Sequence, residues 1–295
     1  MGRVYEPDPA VIVLLKMTRT MNGKIKIHIL HLGDTIVDEC GIFMPKRKPL
    51  NPLAFAGIFR SRKHQTTIPV TAYLIEHPKG KILIDTGFNK TVRTTPIKEL
   101  TWIHNKVNKP VQAPGEAVDE VLASLGVKPS DLDYVVLSHM HTDHASGLKL
   151  VKDARNLLVS EEELAYASKE KVKYVHHMWE GVNLKTFKMT ASKYGPVKRS
   201  YDLFGDESVL LVYLPGHTPG LTGALIQNND KFVLLTSDCG YAYKSWEQMI
   251  LPYHITSEEE IRRSFRWIAQ MAKKDNCIAC LANHETDLQS RVIEL

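Results

Sequence analysis

Within six residues the chain places His139, His141, Asp143 and His144, directly behind the apolar run Tyr134-Val135-Val136-Leu137-Ser138. A run without polar alternation is the pattern of a strand covered on both faces. Four titratable side chains therefore emerge at the end of an interior strand, where desolvating them needs compensation. A lone buried histidine is ordinarily a hydrogen-bonded core residue, but this density of ionisable groups asks for a divalent cation. Neutral imidazole and carboxylate are the ligands that borderline ions favour. Two ligands two positions apart on extended backbone can address one ion, while the next pair turns to a second.

The same device recurs along the chain. Apolar runs ending at Leu214, Ser237 and Ala282 are followed by Gly216-His217, Asp238 and His284, and Lys81-Ile82-Leu83-Ile84 ends in Asp85. Rigid strands that hand reactive side chains to loops are a common way for a fold to carry chemistry. Around these, Ile25, Ile27 and Ile29 alternate through a strand at Lys24 to Leu32, and 70–76 with 81–85 form a hairpin about Pro78-Lys79-Gly80. Val118, Val121, Leu122 and Leu125 share a helical face within 114–126, which Gly126 stops. Ser160 caps a helix over 161–170 with three acids in its favourable first turn. Ser257 opens another, lined by Ile261, Phe265, Ile268 and Ala272. Further strands are predicted at 209–214, 221–226 and 231–236, and a last buried strand at 277–282. Residues 40–66 and the basic, aromatic stretch 171–207 read as irregular. No repeat or linker interrupts the chain, which divides into an extension, 1–23, and one domain, 24–295.

Composition narrows the function. The formal charge of +5 is small for 295 residues and spread along the sequence, so nucleic acid is not an expected partner. Four cysteines at irregular spacing are too few for a disulfide framework, and Cys277-x-x-Cys280 has no second pair; all four are expected to pack in a reducing cytoplasm. The apolar run 10–15 is too short to cross a bilayer and follows acidic residues, so it is read as an appended strand or arm rather than a secretory signal. No membrane partner is expected.

The run His139-x-His141-x-Asp143-His144, followed in order by His217, Asp238 and His284, resembles the HxHxDH signature of the metallo-β-lactamase superfamily over residues 24–295. The resemblance implies an α/β (α+β) fold, an αββα sandwich with two mixed sheets flanked by helices and metal ions at one edge. Carried over, His139, His141 and His217 hold a first ion, and Asp143, His144 and His284 a second. Asp238 and a hydroxide bridge them, and Asp85 supports the ligands. Two divalent ions are implied, zinc foremost, with iron, manganese and cobalt also suited. The bridging hydroxide attacks an electrophile, and Asp143 delivers a proton to the departing oxygen.

Tyr241, three residues after Asp238, resembles the N-acyl-homoserine lactonase group, in which a tyrosine there contacts the lactone carbonyl. The implied substrate is a small acylated lactone, and Asp143 and Tyr241 are the implied catalytic residues. A glyoxalase II-like thioesterase, or another esterase or phosphodiesterase of the fold, is the alternative. Only eleven residues follow His284, which leaves no room for a helical region that grips glutathione. Tyr174 and Trp179 are read as walls of an acyl pocket, the 40–66 segment as a lid or a dimer arm, and a homodimer is compatible with either.

Overall fold

The computed structural model describes residues 23–45, 51 and 53–295; the apolar run 10–15 and all of the extension before Gly23 lie outside the described residues. Among the described residues the strands form two sheets. The first holds β1 (Lys26–Asp38), β2 (Gln65–His77), β3 (Gly80–Ile84), β4 (Lys109–Val111), β5 (Tyr134–Val136), β6 (Leu157–Ser160), β7 (Leu184–Phe187) and β14 (Val292–Glu294). Its order is β14-β1-β2-β3-β5-β6-β7, with β4 also on β1. The second holds β8 (Thr190–Ala191), β9 (Arg199–Asp202), β10 (Val209–Tyr213), β11 (Thr222–Asn228), β12 (Lys231–Leu235) and β13 (Cys277–Leu281). These run in the order β13-β12-β11-β10-β9-β8. Parallel pairs β3–β5, β5–β6, β6–β7 and β12–β13 sit beside antiparallel ones, so both sheets are mixed.

Side-chain alternation explains the layering. Ile25, Ile27 and Ile29 point between the sheets and meet Val209, Leu211, Val233 and Leu235 across the interface. Leu30 and Leu32 project from the opposite face of β1 into an outer layer, with Leu83, Val135 and Leu137. That outer layer is covered by α2 (Pro96–Val107) and α3 (Val118–Ser124), which follow the short α1 (Glu39–Ile42). Beyond the second sheet, Ile261, Phe265 and Ile268 of α7 (Glu258–Ala272) pack on Leu210, Val212 and Leu234. Between α3 and α7 the chain forms α4 (Thr142–Ala145), α5 (Glu161–Lys169) and α6 (Tyr243–Glu247). Helix, sheet, sheet, helix is the expected αββα sandwich.

Several expectations are corrected. β1 continues to Asp38, because an irregularity between His31 and Asp34, with Gly33 at φ 91°, breaks the alternation that would have extended it. Stretch 171–207 contains β7, β8 and β9; two of these are short strands of the second sheet's far side, whose polar faces hide the period. Leu125 is exposed because α3 ends at Ser124, and Met271 rather than Ala272 lines α7. β13 is an edge strand with Ile278 exposed, so Cys277 and Cys280 are only half-buried, whereas Cys40 and Cys239 are buried. No sequence signal marked α2, which bends at Thr101, where φ is 68°.

Candidate metal centre

The sheets deliver every predicted site residue to one edge. Parallel pairing sets Ile84 opposite Val136, so Asp85 leaves β3 beside the Ser138–His144 run that follows β5. Likewise Leu235 pairs with Leu281, so Asp238 and His284 leave β12 and β13 side by side. His217 follows β10 in a loop pinned by Gly216, whose φ of 133° and contact with α7 leave no room for a side chain: a Cβ there would lie 2.4 Å from Ile261. The carbonyl of Gly216 accepts from Thr256 N at 2.7 Å, which ties this loop to the start of α7.

The side chains fall into two groups, His139, His141 and His217 in one, and Asp143, His144, Asp238 and His284 in the other; within each the candidate ligand atoms lie within 4.8 Å of one another. His139 Nε2 and His217 Nε2 each stand 3.0 Å from His141 Nδ1. Asp238 faces both groups. Its Oδ1 is 3.2 Å from His144 Nε2 and 3.2 Å from His284 Nε2, and its Oδ2 is 3.6 Å from His217 Nε2 and 3.8 Å from His139 Nε2. Asp143 Oδ2 lies 3.5 Å from His284 Nε2 and 3.6 Å from His144 Nε2.

The outward ring atoms decide what the inward ones can do. His217 Nδ1 donates to the His254 carbonyl at 3.0 Å, and His284 Nδ1 to the Pro69 carbonyl at 2.7 Å. His144 Nδ1 donates to Asp85 Oδ2 at 2.8 Å, and His139 Nδ1 meets Ser138 Oγ at 3.1 Å. With hydrogen held at Nδ1, each Nε2 presents a lone pair inward. His144 Nε2, His284 Nε2 and Asp238 Oδ1 are buried and have no hydrogen-bond partner. Buried donor atoms that converge without hydrogen-bonding one another would be satisfied by cations placed among them, so the donor set fits divalent metal ions.

Charge follows the same division. Burial, reinforced by the neighbouring imidazoles, holds His139 and His141 well below the usual histidine range, and burial lowers His217. Those three are neutral donors. Around the second group burial opposes protonation, but the surrounding acids together outweigh it, Asp238 foremost with Asp143 and, for His144, Asp85, and push His144 and His284 up. Asp238 itself is held well below the carboxylate range, since His144 and His284 outweigh the cost of burying it. Protons on His144 and His284 thus answer the second group's acids, and a divalent ion bound there would displace them.

Tyr241 stacks on His284 with ring centroids 5.1 Å apart and stands edge-on to His217 at 5.9 Å. Burial, then Asp238 and Asp143, push its phenol well up, so it stays protonated. A cavity of about 430 Å³ opens above His141, Asp143, Asp238 and Tyr241. Its walls include Ile42, Phe55, Ile68, Ile103 and Val107, so the 40–66 segment reaches this cavity through Gly41, Ile42 and Phe55. Tyr174 lines it as expected. Trp179 does not; it packs against the outer core.

Sequence reasoning missed several supporting residues. Ser138 donates from N to Asp85 Oδ1 at 2.7 Å and from Oγ to Asp85 Oδ2 at 2.7 Å, and Asn283 Nδ2 reaches Asp85 Oδ2 at 3.3 Å. Glu163, read as one of three acids at a helix start, is instead fully buried. Its position three residues after Ser160 gave a capping pattern and nothing that pointed inward.

The metallo-beta-lactamase superfamily model matches residues 66–271. Over 233 residues the chain is 29% identical to the N-acyl homoserine lactonase AttM of Agrobacterium fabrum, covering 75% of this chain and 83% of that protein. It is 30% identical over 214 residues to the protein of the same name from Rhizobium johnstonii, covering 70% and 78%. In three dimensions it is similar, with a TM-score of 0.69 and 22% identity over 88% of this chain and 93% of the other, to an N-acyl homoserine lactone hydrolase solved with the product N-hexanoyl-L-homoserine at its catalytic metal centre. The fold, the paired donor groups and the extent of the match agree: this chain belongs to the metallo-beta-lactamase superfamily and resembles its N-acyl homoserine lactonases.

Proposed function

We propose that the chain is a dinuclear metal-dependent hydrolase that opens the ring of N-acyl homoserine lactones. The observation that carries this reading is the placement of Tyr241: its ring stacks on His284 and stands edge-on to His217, one histidine from each donor group, and it lines the same largely apolar cavity as Asp143 and Asp238. In the proposed assignment His139, His141 and His217 would hold one ion and Asp143, His144 and His284 the other, with Asp238, which faces both groups, shared between them, and zinc the ion best suited to imidazole and carboxylate donors. When bound, two such ions supply Lewis acidity, lowering the pKa of a water and polarising a carbonyl.

The chain's own residues do the rest. The cavity walls hold the acyl arm and exclude water from its length, and Tyr241 donates its hydroxyl hydrogen to the carbonyl oxygen as negative charge builds there. Asp143 takes the proton from the attacking water and returns it to the oxygen released as the ring opens. Relatives named as lactonases over most of their length support the lactone over a thioester.

Three outcomes test this reading. Purified protein is expected to contain close to two transition-metal ions per chain by elemental analysis, and protein that binds none under saturating zinc contradicts it. The loaded enzyme is expected to prefer a homoserine lactone series over a glutathione thioester and a phosphodiester. Tyr241→Phe is expected to slow ring opening roughly ten-fold with both ions retained. Loss of metal at an unchanged rate would remove its role as a donor to the carbonyl.

A further inference from the structure

The carboxylate of Glu163 has no part in the proposed chemistry, yet it is the most heavily engaged buried acid outside the two donor groups apart from Asp85. It sits at the start of α5, and its side chain turns inward rather than towards solvent. Oε1 accepts from Met140 N at 3.0 Å and from the Tyr174 hydroxyl at 3.0 Å, and Oε2 accepts from Thr218 Oγ1 at 2.6 Å.

Those donors belong to three segments far apart in sequence, each with its own bearing on the site. Met140 lies between His139 and His141, and Thr218 follows His217, so one carboxylate ties together the two loops that supply the whole first donor group. Tyr174 lines the substrate cavity, and its ring lies 5.2 Å from that of His141. The backbone around this point is equally tight. Ser160 Oγ donates to Gly220 O at 2.8 Å, and a Cβ on Gly220 would come within 2.1 Å of Glu163 N. Burying a carboxylate is costly unless its acceptors are filled, and here the donors that fill them come from the two ligand loops and the cavity wall.

We infer that Glu163 is a positioning residue: its carboxylate sets the spacing of His139, His141 and His217, and holds Tyr174 against His141 as a wall for the substrate. The inference rests on the reading that those three histidines hold one of two ions. A residue that orients ligands without touching the metal changes affinity by about ten- to a hundred-fold, and Glu163 should do so at the first group alone. The second group draws its supports from Asp85 and Pro69 instead.

The test titrates cobalt(II) into metal-stripped, full-length wild-type protein, Glu163→Gln and Thr218→Val, following the visible absorption and the bound stoichiometry. Wild type should take up two equivalents. Glu163→Gln, which keeps the shape but turns a donor towards at least one of the groups it should accept from, should bind one equivalent as wild type does and the other ten- to a hundred-fold more weakly. Thr218→Val, which deletes one donor and leaves the carboxylate, should weaken the same equivalent by less. With zinc restored to saturation, Glu163→Gln should still show a raised KM for acyl lactones, because Tyr174 is released. Equal weakening of both equivalents, or wild-type titrations in both variants, overturns the positioning role while leaving two ions in wild type. A wild-type chain that takes up no cobalt overturns the metal reading, and this inference with it.

Discussion

Replacing Asp238 by Asn is expected to lower hydrolysis by about a thousand-fold or more and to leave the protein unable to retain both ions. The substitution keeps size and shape, so the effect isolates charge and acceptor number. Each carboxylate oxygen faces a different donor group, Oδ1 towards His144 and His284 at 3.2 Å and Oδ2 towards His217 and His139 at 3.6 and 3.8 Å. An amide has one acceptor oxygen, so one group must face an NH₂ with no lone pair to offer. It also removes the negative charge that the two ions would share. Lewis-acid stabilisation is worth several kcal/mol of barrier, and about 4 kcal/mol is a thousand-fold in rate. Elemental analysis and kcat/KM on the same preparation check this. A variant with two ions and wild-type turnover would remove Asp238 from the bridging position.

Asp85→Ala is expected to be the most destabilising single change near the site, by about 3–5 kcal/mol. The carboxylate is buried and accepts from Ser138 N, Ser138 Oγ, His144 Nδ1 and Asn283 Nδ2. Alanine strands all four donors in a place water does not reach, and it frees the ring of His144 to turn. For a chain of this size a loss of that order lowers Tm by roughly 10 °C. Differential scanning calorimetry of the metal-stripped protein measures the fold's share, and zinc content measures the ligand's. A Tm within about 2 °C of wild type would show that the Asp85 network does not hold this edge together.

The site was more legible than the scaffold around it, and the reason is chemical. Imidazoles and carboxylates placed at strand ends carry information in their identity, so His139 to His144, His217, Asp238, His284 and Asp85 stand out wherever the chain goes between them. Glu163 does not, because its partners Met140, Tyr174 and Thr218 are ordinary residues whose meeting is decided only by the fold. The interior strands showed equally well, since Ile25, Ile27 and Ile29 alternate and Tyr134–Leu137 is apolar throughout. The peripheral strands β8 and β9 failed to show: strands of two and four residues have too few buried positions to make a period. α2 escaped for a different reason. Its two halves meet at Thr101 in a left-handed conformation, so no single helical face runs its length.

Each donor group draws on both sheets. His139 and His141 follow β5 of the first sheet while His217 follows β10 of the second, and Asp143 and His144 meet Asp238 and His284 from β12 and β13. Neither sheet can assemble either group alone, so an ion bound there is bound by the docked sandwich and not by its halves. Such a ligand adds RT ln(1 + [L]/Kd) to the stability of the docked state, about 2.7 kcal/mol at a hundred-fold excess over Kd. Metal supply would thus become a variable of cohesion as well as of catalysis, and an ion in this edge would work as a rivet through two plates that already meet through their apolar faces and a few polar links.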